Sequence, residues 1–278
     1  LFNNTMGGSA LALGLVIMLG WIRLKSNRMV QWGPFRVPAE VAYIIPSGVC
    51  TAIVIPTTTL LYSLPISVLV AMVIMRGSII VISRLVDEIQ LRQGILKKRV
   101  FAEENWAVVF ALLAVATNVL LIPLVDALEA RGVGVAAMLG LKAGAGKGGF
   151  DFLRSAAAMT ILGSYLVAYL FRLYIMNFFK NTRAPGVPQD NQGFFAIEQI
   201  AASVSMLLLG VFFYFSRDLL GWTARLVVQW HDSVDQGFHL TAFLSGLPYG
   251  VVAFFSVFIF MFKGRTATFA RLVDRVTS

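Results

Sequence analysis

Two cations set inside apolar stretches are the first residues that could do chemistry. Arg76 falls at the middle of residues 66–86, and Lys263 falls within residues 249–273. A charge at the centre of a membrane helix is costly, so such residues usually face a cavity or a partner. Each is followed directly by a glycine, Gly77 and Gly264, and a residue without a side chain lets a helix or a ligand come close. A guanidinium grips a carboxylate or phosphate through a fork, and an ammonium acts on it as a point charge. Two such cations near a midplane are what an anionic small molecule would need. The plainer alternative for each is a carboxylate partner or a side chain that snorkels to the interface.

Other polar groups sit in apolar surroundings. Glu198 lies one turn into an otherwise apolar run, and three readings stand open for it: a proton-coupling carboxylate, a counter-ion to Arg76 or Lys263, or a residue at headgroup level. Residues 41–61 carry Ser47, Thr51, Pro56, Thr57, Thr58 and Thr59. Hydroxyls there can satisfy backbone groups freed by the proline or line a pathway, and a pathway is the favoured reading, with Thr58 taken as substrate-facing. Arg84 with Asp87 or Glu88, and Arg271 with Asp274, have the spacing of ion pairs on one helix face, read as fixing a helix end. Gly144-Ala145-Gly146-Lys147-Gly148 is no phosphate loop, because Leu141 stands where the first glycine belongs and Gly148 replaces the Ser or Thr. His231 and His239 have no nearby cysteine and give little support for a metal. Nothing converges as a catalytic set, so no enzyme, cofactor or metal is expected.

The elements that must position these groups are membrane helices. The chain of 278 residues is 58% hydrophobic and only 13% charged, with a mean hydropathy of +0.79, about half the charge of a soluble domain. The apolar residues come in long blocks rather than the short alternating segments of a barrel. Eight candidate spans follow, over residues 9–24, 41–61, 66–86, 106–125, 153–171, 194–215, 238–247 and 249–273, with an amphipathic stretch over 217–235. The seventh is short for a crossing. A Gly-rich segment occupies 126–151, and the polar stretch 181–192 divides a first half (1–180) from a second (193–278). The net charge of +9 and pI of about 10.0 do not point to nucleic acid, because Lys and Arg sit beside the apolar blocks, where they set orientation and meet anionic headgroups. Basic connectors after the first, third and fifth spans predict those loops on the cytoplasmic side, with the last span ending against the rule. Cys50 has no second cysteine to pair with, and Leu1 is not expected to be the true start.

The sequence also matches itself. Met75-Arg76-Gly77 with Arg84-Leu85-Val86-Asp87 returns 187 residues later as Phe262-Lys263-Gly264 with Arg271-Leu272-Val273-Asp274, and Leu64-Pro65 returns as Leu247-Pro248. Five spans separate equivalent points, so the second copy would enter the membrane upside down. Inverted repeats of this kind build secondary transporters, with the substrate at the interface of the copies.

Residues 67–85, with Met75-Arg76-Gly77-Ser78-Ile79-Ile80, resemble the fourth helix of drug/metabolite transporters, nearest the branch of nucleotide-sugar-transporter-like solute carriers. Glu103-Glu104-Asn105-Trp106, opening an apolar run, looks like the approach to that family's fifth helix. The resemblance implies an all-α, polytopic bundle of two inverted five-helix repeats, ten helices in the full protein, of which eight would lie here. The expected function is a secondary transporter or exchanger of a small polar, preferably anionic, metabolite by alternating access, in a plasma or inner membrane rather than an organelle. The expected substrate-binding residues are Arg76, Lys263, Glu198, Thr58, Gly77 and Gly264. The alternative is a non-transporting integral subunit of a larger membrane complex, with protein partners docking on the Gly-rich or amphipathic segments.

Overall fold

The computed structural model describes residues 2–22, 24–26, 28–63, 68–97, 101–117, 122–129, 131–132, 156–183, 188–223, 225–261 and 266–277. They are mostly helical: α1 (Phe2–Met18), a hairpin of β1 (Met29–Trp32) and β2 (Phe35–Pro38), α2 (Val41–Ser63), α3 (Val68–Arg92), α4 (Ala102–Ala116), α5 (Ile122–Glu129), α6 (Ala156–Asn181), α7 (Asn191–Leu220), α8 (Arg225–Asp235), α9 (Leu240–Phe260) and α10 (Ala267–Thr277). Among the described residues four helices are long and apolar enough to cross a membrane, over Val41–Tyr62, Ala158–Asn181, Asn191–Leu220 and Leu240–Phe260. That is compatible with an integral membrane protein. Lys263, Gly264 and most of the Gly-rich segment lie outside the described residues.

Several boundaries move from the sequence expectation, each for a local reason. The first helix begins at Phe2 and stops before Gly20, whose φ of 64° turns the chain. The expected fifth span runs on past Phe171 to Asn181, because the apolar run continues as Leu173, Tyr174, Ile175 and Met176 beyond Arg172. The expected seventh and eighth spans are redrawn. Residues 240–260 make one helix with Pro248 inside it, and residues 267–277 form a separate eleven-residue helix. The residues 187 positions beyond the 25-residue α3 are thus divided between α9 and α10, and the two halves do not repeat in element length.

Joining those two spans also removes the charge conflict. The end of α1 and the start of α7 meet where Asp190 accepts the Lys25 amide at 2.8 Å and caps α7 by accepting from Gly193 N at 2.9 Å. Arg183 pairs with Glu40 at 2.8 Å and donates to the Lys25 carbonyl. The end of α9 arrives at the same place, since Gln189 Nε2 donates to the Met261 carbonyl at 2.6 Å. The first and fifth connectors, both basic, therefore share one end of the bundle, and α9 finishes there too.

Helices α1 and α9 run side by side in the same direction on a seam of glycines. A Cβ at Gly7 would land on the Phe243 carbonyl oxygen, one at Gly246 on the Asn4 carbonyl oxygen, and one at Gly250 would lie 2.8 Å from Gly8 O. Lipid tails are as apolar as leucine, so tight backbone approach, and not burial from water, drives such packing. Trp21 closes the seam, stacked on Phe254 at 5.8 Å and edge-on to Phe195 of α7 at 6.5 Å. At the other end of the bundle α7 stops at Gly221 in the left-handed conformation (φ 63°). The amphipathic α8 folds back there, laying Trp230 against Gly210.

In α2, Pro46 and Pro56 sit inside a continuous helix. Thr57, Thr58 and Thr59 turn their hydroxyls onto the carbonyls of Ile53, Val54 and Ile55 at 2.7, 2.8 and 3.3 Å. They are satisfied within their own helix by bonding back onto the preceding turn.

Candidate functional site: a buried ion pair among three membrane helices

Glu198 is wholly buried, and its partner is Arg172 of α6. Arg172 Nε donates to Oε1 at 2.9 Å and an Nη to Oε2 at 3.2 Å, so the guanidinium meets the carboxylate with both edges of its fork. Oε1 also accepts from Ser47 Oγ at 2.7 Å and from Thr51 Oγ1 at 3.2 Å, both on α2. Thr51 shares its hydroxyl with the Ser47 carbonyl at 3.0 Å. The carboxylate thus ties α2, α6 and α7 together.

The helices can approach this closely because of Gly48. A Cβ there would lie 2.5 Å from Ala201 Cβ and 2.7 Å from the Glu198 carbonyl oxygen. Glycine lets α2 lie against α7, which brings Ser47 and Thr51 within reach of Glu198. Seven residues separate Glu198 from the start of α7, roughly 10 Å along its axis.

A second polar cluster surrounds the start of α10. Asp87, fully buried, accepts from the amides of Ala267 at 2.9 Å and Thr268 at 2.8 Å, from Thr268 Oγ1 at 2.7 Å and from Asn177 Nδ2 at 3.2 Å. Thr266 Oγ1 accepts the Phe269 amide at 3.1 Å and donates to Glu104 Oε2 at 2.7 Å, and Ala270 N bonds the Thr266 carbonyl. Three of the amides that the helix start leaves open, those of Ala267, Thr268 and Phe269, are therefore satisfied. One turn on, the buried Arg271 donates to Ser256 Oγ at 3.0 Å and lies over the rings of Phe260 and Tyr169 at 4.9 and 5.6 Å. Lys180 donates to the Phe260 carbonyl at 3.1 Å. Asp87→Ala is expected to cost about 3 kcal/mol, since it strands two buried amides and removes a cap. Asp87→Asn, which keeps an acceptor, should cost less than half as much, measured as the shift in thermal unfolding.

The sequence candidates distribute unevenly over these features. Glu198 stands in the centre of the first cluster, with Arg172 and not Arg76 as its counter-ion among the described residues. Arg76 is half-buried and Gly77 buried on α3, and Arg76 makes no hydrogen bond or ion pair among the described residues. Thr58 bonds its own helix. Lys263 and Gly264 lie outside the described residues. Of the two expected pairings of Arg84, that with Glu88 forms, at 3.5 Å, beside a hydrogen bond to Asn105 Oδ1 at 2.9 Å, while Asp87 caps α10 instead. Arg271 is buried rather than interfacial.

Arg172 is the residue that sequence reasoning passed over. The fifth span expected from the sequence runs to Phe171 or a little beyond, and this cation is given no role. The apolar residues on both sides of it were the signal that it lies inside a helix. No family model matches the chain, and no curated protein or solved structure is significantly similar to it.

Proposed function

We propose that this protein is a secondary transporter or exchanger of a small anionic metabolite, working by alternating access, with Arg172 as the anion receptor and Glu198 as its resting counter-ion. The observation that carries the reading is the forked Arg172–Glu198 pair buried among three apolar helices. Ionisable residues at membrane depth are costly and mark substrate or proton pathways. A guanidinium that already holds a carboxylate through both edges has the geometry to hold a substrate carboxylate or phosphate instead. On that exchange Glu198 loses its cation and becomes a carboxylate able to take a proton, which couples anion binding to proton binding.

The test is thermal stability of the detergent-purified protein against inorganic phosphate, succinate, glucose 6-phosphate, uridine diphosphate glucose and neutral alanine. Anion uptake into proteoliposomes would follow. An anion at a hundred times its dissociation constant should stabilise by about 2.7 kcal/mol. Arg172→Ala should abolish the effect, and Glu198→Gln should tighten anion binding, because the competing carboxylate is gone. A pair that only holds helices together would give no tightening. No stabilisation and no uptake with any anion would refute the proposal and turn attention to a subunit role.

A further inference from the structure

The connector between α1 and α2 is the hairpin β1–β2, and its two faces differ. Gly33, with a φ of 59°, and Pro34 make the two-residue turn, and a positive φ there suits the twist of the flanking strands. Trp32 pairs with Phe35 and Val30 with Val37. Cross-strand partners share a face and neighbours along a strand alternate, so these four side chains lie on one side of the ribbon. Gln31 and Arg36 lie on the other side, between Met29 and Pro38. The apolar side is open: Trp32 is 51% and Phe35 70% exposed, and Val30 is exposed as well. A lone two-stranded ribbon is marginal in water, and an uncovered apolar face does nothing to hold it.

Position and charge say what covers that face. Ala39 N donates to the Arg28 carbonyl at 2.9 Å and closes the ribbon. Ser26 Oγ donates to Glu40 Oε2 at 2.6 Å, and Arg183 holds the other oxygen of that carboxylate at 2.8 Å. The base of the hairpin is thus fixed to the bundle, and the candidate span α2 starts at Val41, three residues beyond β2. The ribbon therefore leaves the bundle where a span passes from hydrocarbon to headgroups, the depth at which Trp side chains concentrate. The exposed charged residues of 24–40 are Lys25, Arg28 and Arg36, all cations, while the acid there, Glu40, is taken by Ser26 and Arg183. A basic connector at this place is expected on the cytoplasmic leaflet, whose anionic lipids attract such residues.

We propose that this hairpin is an interfacial anchor that docks on the anionic surface of the protein's own bilayer. Val30, Trp32 and Phe35 enter the headgroup boundary, and Arg28 and Arg36 pair with lipid phosphates. Arg36 starts from the far face of the ribbon and reaches the phosphates along its long stem, as snorkelling arginines do. Anionic lipid then sets how firmly the connector between α1 and α2 is held. The anchor does not involve Arg172 and stands apart from anion transport.

The experiment places the full chain in nanodiscs of phosphatidylcholine alone, or of phosphatidylcholine with phosphatidylglycerol, and measures tryptophan quenching by lipids brominated near the headgroup or near the chain end. The signal of Trp32 is the difference between the wild type and Trp32→Phe. It should be quenched by the shallow bromines more than by the deep ones, and more strongly when phosphatidylglycerol is present. Arg28→Gln and Arg36→Gln should each lower the ratio of seated to free hairpin about fivefold in the anionic discs, the effect of one basic residue near such a surface. Both arginines are exposed, so the thermal midpoint should not move. Quenching of Trp32 by aqueous acrylamide and not by brominated lipid would overturn the proposal by placing the hairpin in water. Shielding from both quenchers would overturn it in favour of a protein seated on the ribbon. Equal lipid quenching with and without phosphatidylglycerol would overturn the anionic recognition.

Discussion

Arg172→Ala is expected to destabilise the protein by about 3–5 kcal/mol, the loss seen when one member of a buried ion pair is removed. The cause is the stranded charge more than the lost attraction. Glu198 would remain at 0% exposure with only the hydroxyls of Ser47 and Thr51 to compensate it. The double replacement Arg172→Met with Glu198→Leu should therefore be far more stable than either single truncation, since it buries no unpaired charge. Thermal or denaturant unfolding of the wild type, Arg172→Met, Glu198→Leu and the double variant closes a double-mutant cycle, with an expected coupling of about 2 kcal/mol or more. Additive effects would mean that the two side chains do not share one buried site. The double variant should also be inactive in anion uptake, which separates what the pair does for function from what it does for folding.

Gly246→Leu should be nearly as damaging, at about 3 kcal/mol, and should detach α1 from α9. The Cβ would be built onto the Asn4 carbonyl oxygen, with main chain on both sides of the contact. Neither side has a rotamer to change, so the helices must move apart and give up the close packing that holds membrane helices together. Gly14, also in α1, is the control. A Cβ there meets nothing within 4 Å, so Gly14→Ala should be neutral or stabilising by up to about 1 kcal/mol through helix propensity. Hydrogen exchange across residues 2–18 reports undocking directly. If both variants kept the wild-type protection, α1 would not be seated on this seam.

Much of the architecture was legible in the residue order, and the reasons differ by element. Four of the long apolar blocks appear among the described residues as helices long and apolar enough to cross a membrane, because only a backbone bonded to itself is tolerated in hydrocarbon. The amphipathic stretch before residue 235 appeared as α8 for the equally local reason that its apolar residues recur at helical spacing. Boundaries were less legible. The spans drawn on either side of Pro248 are one helix, and the fifth span, drawn to about Phe171, continues through Arg172 to Asn181.

Composition and hydropathy by themselves determined a helical chain suited to the membrane, the basic connectors after α1 and α6, and the presence of ionisable residues in apolar surroundings. Those are properties of short windows, and every residue needed to see them is adjacent. Only the tertiary structure decided which charges meet. Glu198 is 26 residues from Arg172 and 151 from Ser47, and Asp87 is 180 residues from the helix it caps. No periodicity encodes such pairings, because they depend on where separate helices cross. That in turn depends on glycines such as Gly48 and Gly246, whose value lies in a side chain they do not have.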